Sequence, residues 1–367
     1  MSFSKGDTIL SAAEFNLDSF LDDTALDISN PFVRDESTGT GSVDNPHWRE
    51  PNYTGTIDYR IRQLSYSSLL QLHSCPRKFQ LYKLRTTHKL EESLKSTITF
   101  AFGHVVGAAI QDVLCGLPKE QVIWRAFCGW HTDLMAVDEK AKKSFWTACL
   151  GIQRFIAMRE AGLLKAYDLV YFNGKPAVEL SFCIILPNGF RLRGFVDAVL
   201  VHKTTGEVLV LECKTTGSTT LNAASYKNSS QAIGYSVVLD VLFPVVSSYK
   251  VLYLIYQTSN GEFTAMPFVK MYTQRAAWIQ EIMLDVEFIE MCERHGTYPQ
   301  RGESCFTFFR ECEYINTCGL STELLTKPCT EEEEDKTEYQ INLTLADLIE
   351  TQLAKVQTTG EDDAELE

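Results

Sequence analysis

Three charged residues stand in stretches of this chain that are otherwise mainly apolar. Asp197 interrupts one apolar run, Glu212 follows the next, and Lys214 lies two residues beyond Glu212. Because side chains alternate between the two faces of a strand, Glu212 and Lys214 project to the same side. A hairpin between the two runs would bring Asp197 beside Glu212. The pattern therefore predicts one site that holds two carboxylates and an amine.

Two buried carboxylates repel each other, and a divalent cation removes that cost. Oxygen ligands alone are typical of Mg²⁺ or Mn²⁺ sites, which also accept phosphate oxygens. Such an ion offsets the charge on a scissile phosphate, while a lysine orients the attacking water or stabilises the transition state. The residues thus predict phosphodiester hydrolysis. A buried salt bridge between Lys214 and either acid is the alternative.

The spacing resembles a known family. Gly194-Phe195-Val196-Asp197, fourteen further residues and Glu212-Cys213-Lys214 are similar to the motifs of the PD-(D/E)xK nuclease superfamily, in its RecB-like exonuclease branch. That branch also has a downstream QxxxY motif, which matches Gln231 to Tyr235 here. The resemblance implies that Asp197 and Glu212 bind the metal, that Lys214 is catalytic, and that Gln231 and Tyr235 position the substrate.

Two further polar residues are compared with the family pattern. Relatives usually carry a metal-binding histidine four residues after a glycine, but here Gly103 is followed by Gly107 at that position. His104 lies one turn before Gly107 and is the substitute ligand that we expect, with an ordinary core or surface histidine as the alternative. Glu179 matches an acidic position of relatives and is expected to face the substrate or support the site, or to be a surface strand residue.

The resemblance extends to four cysteines. The stretch that begins at Cys75 and the spacing from Cys312 to Cys318 resemble segments that, in CRISPR-associated and AddB-type relatives, help to bind a 4Fe-4S cluster; Cys305 is the third C-terminal candidate. Four thiolates suit an iron–sulfur cluster or zinc. We expect Cys75, Cys305, Cys312 and Cys318 to hold a 4Fe-4S cluster. Four ordinary buried thiols are the alternative.

A basic run follows Cys75. It includes Arg77 and Lys78 and is interleaved with Phe79 and Tyr82. Cations that follow phosphates and rings that stack on bases are typical of a groove for single-stranded DNA. We therefore expect Arg77 and Lys78 to bind substrate, with a solvated helix face as the alternative.

The elements that must position these residues indicate an α/β fold. Three apolar runs near residues 177–186, 190–201 and 207–216 are joined by short turns and predict an antiparallel meander. Helices over about 230–242 and 273–294 and a strand between them complete the domain. The resemblance implies a restriction-endonuclease-like core, with a mixed central sheet flanked by helices, an added helical region and a C-terminal cysteine cluster.

Charge divides the 367 residues into three parts. Residues 1–60 carry 4 basic and 11 acidic residues, and residues 322–367 carry 3 and 14, whereas 27 basic and 23 acidic residues fall in 61–321. We expect a mostly disordered acidic tail over 1–60, the nuclease domain over 61–321 and an acidic tail with an amphipathic helix over 322–367. The overall charge of −14 therefore does not exclude a nucleic-acid substrate.

These observations predict a metal-dependent DNA exonuclease of recombination, repair or DNA processing; a phage or bacterial origin is suggested by resemblance alone. A structure-specific endonuclease and a non-catalytic nucleic-acid-binding scaffold are the alternatives. The tails are expected to bind a partner such as a single-strand annealing or single-strand-binding protein. Eleven cysteines and the absence of an apolar leader or membrane segment indicate a reducing, cytoplasmic location.

Overall fold

A computed structural model of the chain describes residues 57–84, 94–130, 141–243, 249–307, 310–320 and 338–364. The chain divides into two units. The first unit, Met1–Asn52, lies outside the described residues and contains most of the predicted N-terminal tail. The α-helices are α1 Tyr59–Arg62, α2 Tyr66–Ser74, α3 Pro76–Lys83, α4 Leu94–Leu114, α5 Lys119–Gly129, α6 Phe145–Glu160, α7 Ala223–Lys227, α8 Ser230–Leu242, α9 Tyr272–Arg294 and α10 Leu345–Ala364. The strands are β1 Gln63–Leu64, β2 Tyr167–Leu169, β3 Tyr171–Phe172, β4 Lys175–Pro176, β5 Val178–Ile185, β6 Arg191–His202, β7 Val208–Thr216, β8 Tyr249–Gln257, β9 Glu262–Lys270, β10 Phe306–Thr307, β11 Arg310–Glu311 and β12 Ile341–Thr344.

A mixed sheet of eight strands forms the centre of the described chain. Six strands follow the order β12-β5-β6-β7-β8-β9, and β1 and β2 both pair with β6. The predicted meander is present, because β5, β6 and β7 pair antiparallel with their sequence neighbours. Strand β8 then pairs parallel to β7, and α8 lies in the connection between them.

Strand β7 occupies the middle of the sheet because its sequence suits burial on both faces. Val208 to Leu211 are all buried, and continuous β-branched and aliphatic residues are typical of a strand covered on both sides. The hairpin before it includes Gly206 at φ 71°, a backbone conformation that glycine adopts at little cost. This turn aligns β6 with β7 and sets which of their residues are neighbours.

Helices cover both faces of the sheet. One apolar cluster joins α4, α5 and α6 to Leu200, Leu209 and Leu211, while another joins α2, α3, α8 and α9 to Val208 and Val210. The central sheet between two helical layers confirms the predicted α/β architecture. It is consistent with a restriction-endonuclease-like core.

Neither edge strand of the six-strand order was expected from the sequence. Strand β9 lies at one edge of the six-strand order, where Pro267 is tolerated because an edge strand need not donate on both sides. Strand β12 lies at the other edge and pairs parallel with β5, from Ile341 opposite Phe182 to Thr344 opposite Ile185.

Part of the C-terminal region packs against the rest of the described chain. Strand β12 belongs to the central sheet, and α10 packs against α8 and α9. Leu348 on this helix is 1% exposed, so part of the apolar face predicted to bind a partner contacts this chain instead. Within the described residues, no helix has the length and apolar character needed to span a membrane.

Candidate active site

The two predicted acidic ligands lie side by side in neighbouring strands. Asp197 on β6 and Glu212 on β7 each lie one residue beyond the Ala198–Leu211 pair of the ladder. The backbone N–H of Cys213 donates to Asp197 Oδ2 at 2.7 Å, which ties the side chain of one strand to the backbone of the other. The hairpin thus brings the two carboxyls to one site, as the sequence predicted.

Glu212 is buried with an unused oxygen. Its side chain is 1% exposed, Oε1 accepts a hydrogen bond from Lys214 Nζ at 2.5 Å, and Oε2 has no hydrogen-bond partner among the described residues. A buried carboxylate oxygen without a donor costs free energy, and such atoms are rare in folded proteins. A cation bound beside Asp197 would give this oxygen a partner.

Burial and mutual repulsion both disfavour ionisation of the two acids. Burial raises the pKa of Asp197, and the charges of Glu212 and Glu179 add to the rise. Burial likewise raises the pKa of Glu212, although Lys214 opposes it. One ammonium therefore does not compensate for the carboxyl groups around it, and the donor set fits a divalent cation.

Lys214 links the acids to helix α8. Its side chain is 39% exposed, so the ammonium reaches the pocket, and Nζ lies 3.4 Å from Gln231 Oε1. Burial lowers the pKa of Lys214, but the charges of Glu212 and Asp197 outweigh that effect and raise it. Lys214 is therefore a charged hydrogen-bond donor at the site.

The QxxxY motif forms a hydrogen-bonded chain. Gln231 Nε2 donates to the hydroxyl of Tyr235 at 2.6 Å, and that hydroxyl donates to the carbonyl oxygen of Phe195 at 2.5 Å. The ring of Tyr235 is 1% exposed. Tyr235 thus anchors the first turn of α8 to β6 and holds Gln231 beside Lys214.

This anchoring requires a glycine between the two motif residues. A Cβ on Gly234 would lie 2.2 Å from the hydroxyl oxygen of Tyr66 and 2.6 Å from the ring of Trp278. No side chain fits that gap, so α8 approaches Tyr66 more closely than any other residue type would allow. The sequence alone gave no signal for this contact.

A pocket with a volume of about 1090 Å³ opens onto the site. It is lined by residues of β6, β7, α2 and the α7–α8 connection, and Asp197, Glu212, Lys214, Gln231 and Tyr235 all contribute to its wall. The five residues that the motifs identified are therefore gathered around one open pocket.

Glu179 lies beside the same acids. It sits on β5 between Val178 and Leu180, which pair with Ala198 and Val196, so it lies opposite Asp197. Its carboxylate Oε1 accepts a hydrogen bond from Gln111 Nε2 on α4 at 2.8 Å. Gln111 was missed at the sequence level, because nothing in its local pattern distinguishes it from a helix surface residue.

The structure does not bring His104 to the carboxylates. His104 is exposed and lines a separate cavity next to Asp112, Arg125 and Cys128. His104 points away because α4 directs the neighbouring Gly103 toward Thr215 of β7. A Cβ on Gly103 would lie 3.5 Å from the hydroxyl oxygen of Thr215. We therefore withdraw His104 from the expected ligand set.

The four predicted cluster cysteines are gathered in one place. Cys75, Cys305, Cys312 and Cys318 line a cavity with a volume of about 90 Å³. Burial raises the pKa of Cys318, and the other three thiols add to the rise, which places them near one another. Among the described residues, however, no group of three or more His, Cys, Asp or Glu side chains has the arrangement of a formed metal site.

Arg77 and Lys78 belong to this cysteine region rather than to the carboxylate pocket. Arg77 donates from Nε to the carbonyl oxygen of Cys318 at 3.0 Å and from Nη2 to that of Leu320 at 2.5 Å. Lys78 Nζ lies 3.8 Å from Glu313 Oε1, and Lys78 lines the cysteine cavity. Their basic groups are engaged with the C-terminal segment, so we no longer expect either one to bind substrate.

A family comparison agrees with this geometry. The family model described as the PD-(D/E)XK nuclease superfamily matches residues 63–319, which contain every site residue described above. Among solved structures, the chain is similar to SSO0001 at 12% identity and a TM-score of 0.31, over 71% of this chain and 87% of that one. No match was found among curated proteins.

Proposed function

The chain belongs to the PD-(D/E)XK nuclease superfamily, and from that membership we propose that it is a metal-dependent DNA exonuclease. The observation that carries the proposal is that Asp197 lies beside Glu212, whose buried Oε2 has no hydrogen-bond partner in the part of the chain that the structure describes. Asp197 and Glu212 would hold Mg²⁺ or Mn²⁺, which both suit an all-oxygen donor set.

The side chains have separable roles in phosphodiester hydrolysis. A divalent cation bound by the two acids would supply Lewis acidity toward the phosphate ester. Lys214 donates hydrogen bonds to the attacking water or to the phosphate oxygens, since its ammonium reaches the pocket. Gln231 keeps Lys214 in place, and Tyr235 keeps Gln231 in place through the carbonyl of Phe195.

Substitution of the site residues tests this assignment. We expect Lys214→Ala and Asp197→Ala to lower the rate of Mg²⁺- or Mn²⁺-dependent digestion of linear DNA by about 100-fold or more. Lys250→Ala is the matched control, because Lys250 Nζ also pairs with a glutamate, Glu207 Oε1 at 2.6 Å, but lies outside the pocket.

The control should digest DNA at the wild-type rate. Wild-type rates in both Lys214→Ala and Asp197→Ala would overturn the catalytic assignment. Circular dichroism spectra that match those of the wild type would show that lost activity does not reflect lost folding.

Two alternatives differ in what they cleave. A structure-specific endonuclease would nick closed circular DNA, whereas an exonuclease degrades only molecules with an end. A non-catalytic scaffold would cleave neither. The intact chain of hydrogen bonds from Glu212 through Lys214 and Gln231 to Tyr235 favours catalysis over the scaffold.

We also propose a 4Fe-4S cluster on Cys75, Cys305, Cys312 and Cys318. Two observations support it. The four cysteines line one cavity, and that cavity joins the start of α3 to a C-terminal segment that is far away in the sequence. Protein purified without oxygen should absorb near ~400 nm and contain iron. A colourless protein that contains zinc, or no metal, would contradict the cluster.

The biological setting is proposed from the same resemblance. We place the enzyme in the RecB-like branch, in recombination, repair or DNA processing in the cytoplasm of a bacterium or a phage-infected cell. Its acidic segments are proposed to recruit a single-strand annealing or single-strand-binding protein. Unchanged recovery of such a partner after removal of residues 1–56 and replacement of the acidic run 331–335 would contradict that role.

A further inference from the structure

Gln111 is a buried amide on the face of α4 that meets the site. Its side chain is 7% exposed, so its polar atoms need partners within the protein. Nε2 donates to Glu179 Oε1 at 2.8 Å and lies 3.3 Å from the carbonyl oxygen of Asp197. One amide group therefore contacts both β5 and β6, the strands that carry Glu179 and Asp197.

Glu179 has a backbone conformation that needs such support. Its φ of 45° lies in the left-handed region, which costs a non-glycine residue on the order of 1 kcal/mol or more. A residue persists there when its surroundings hold it. The hydrogen bond from Gln111 is the contact that holds the carboxylate, and the charge of Glu179 acts on both Asp197 and Glu212.

Two glycines precede Gln111 on the same face of α4. Residues 103, 107 and 111 recur every four positions and share one face of α4. Gly103 packs against Thr215, and a Cβ on Gly107 would meet nothing within 4 Å. Of these three positions, Gln111 alone has a side chain that reaches the acidic strands.

We infer that Gln111 is a positioning residue, which orients Glu179 toward Asp197 and Glu212 and thereby completes the negative site that a divalent cation meets. This inference rests on the proposed metal-dependent nuclease. Gln111 acts through Glu179, so its contribution should vanish when the charge of Glu179 is removed.

A double-mutant cycle on Mn²⁺ binding tests this coupling. Electron paramagnetic resonance of free Mn²⁺ gives the dissociation constant for the wild type, Gln111→Met, Glu179→Gln and the double variant. We expect Gln111→Met to weaken binding about tenfold, in the range found when a residue that orients a metal ligand is removed. In the Glu179→Gln background the same substitution should change binding less than twofold.

Asp112→Asn is the matched control, because Asp112 is the next residue on α4 and pairs with Arg125 at 2.8 Å, away from the site. It should bind Mn²⁺ as the wild type does. If Gln111→Met does not fold, Gln111→Asn keeps a polar amide that is too short to reach Glu179 and replaces it in the cycle.

The outcomes distinguish the positioning role of Gln111 from the proposed nuclease function. Wild-type protein that binds Mn²⁺, together with Gln111→Met that binds it equally well, would overturn the positioning role alone. Fully additive effects of the two substitutions would do the same. Wild-type protein that neither binds Mn²⁺ nor digests DNA would overturn the proposed function, and the positioning role with it.

Discussion

At the scale of single residues, the site combines groups that a folded protein would otherwise avoid burying. Glu212 Oε2 has no hydrogen-bond donor among the described residues, and Asp197 and Glu212 both ionise less readily than exposed carboxyls. Such arrangements reduce stability and persist where chemistry needs them. The sequence revealed this part of the site because charged residues in apolar strands are conspicuous.

Lys270, beside the end of α7, is another buried charged residue, and its burial should make the stability of the protein depend on pH. Its side chain is fully buried at the end of β9, and Nζ donates to the carbonyl oxygen of Lys227 at 2.5 Å. Burial lowers the pKa of Lys270 to about 8. In the unfolded chain a lysine keeps its proton to about pH 10.4.

Between these two values the unfolded state binds more protons than the folded state, so the free energy of unfolding should rise with pH. We expect the contribution of Lys270 to rise by up to about 1 kcal/mol per pH unit between pH 8 and 10. Urea unfolding of the wild type and of Lys270→Met measures it. The difference between them should depend on pH in that window, whereas Lys203→Met, at an exposed lysine, should follow the wild type.

At the scale of elements, helix α8 carries both a catalytic motif and a tight packing contact. Gly234 allows its backbone to approach Tyr66 and Trp278, and Tyr235 fixes it to β6. The position of Gln231 relative to Lys214 therefore depends on how closely this helix can pack.

Two helical glycines make a paired test of this packing. Gly234→Ala should lower the free energy of unfolding by about 1–3 kcal/mol, because the new methyl overlaps Tyr66 and Trp278. It should also slow DNA digestion, since Gln231 moves with the helix. Gly107→Ala meets open space and should raise stability by about 0.5–1 kcal/mol. Urea unfolding followed by circular dichroism measures both, and equal stability of the two variants would contradict this account.

The sequence predicted elements better than it predicted their contacts. The β5–β6–β7 meander and α8 follow from local patterns of apolar residues and turns. The Gln111–Glu179 hydrogen bond, the docking of β12 and the edge strand β9 depend on tertiary neighbours far away in sequence. The locations of His104 and Arg77 away from the carboxylate pocket could not be predicted either, because residue type does not say which way a helix faces.

At the scale of the whole molecule, a buried ionic network joins the C-terminal helix to the core. Asp240 on α8 lies with Oδ2 2.7 Å from Arg275 Nε and with Oδ1 2.5 Å from Lys355 Nζ. Its Oδ2 also accepts a hydrogen bond from Gln352 Nε2 at 2.7 Å. Asp240 and Arg275 are both fully buried. The helix that carries the QxxxY motif is thus held by residues more than a hundred positions later in the chain.

Removal of Asp240 should be costly because it takes a buried carboxylate away from Arg275 and Lys355. We expect Asp240→Ala to lower the free energy of unfolding by about 3–5 kcal/mol. Asp285→Ala breaks the exposed pair with His73 and should cost less than about 1 kcal/mol. Thermal or urea unfolding compares the two, and a small effect of Asp240→Ala would show that the network does not hold α10 in place.

The place of β12 has a consequence for the order in which the chain is made. Strand β5 precedes the strands that carry Asp197 and Glu212 and pairs with β6 along one edge. Its partner along the other edge is β12, residues 341–344. On the ribosome, the backbone groups along that edge of β5 remain unpaired until residues 341–344 have emerged. An unpaired edge invites pairing with other chains. The nascent protein therefore passes through a period of exposure to aggregation, which ends when β12 docks.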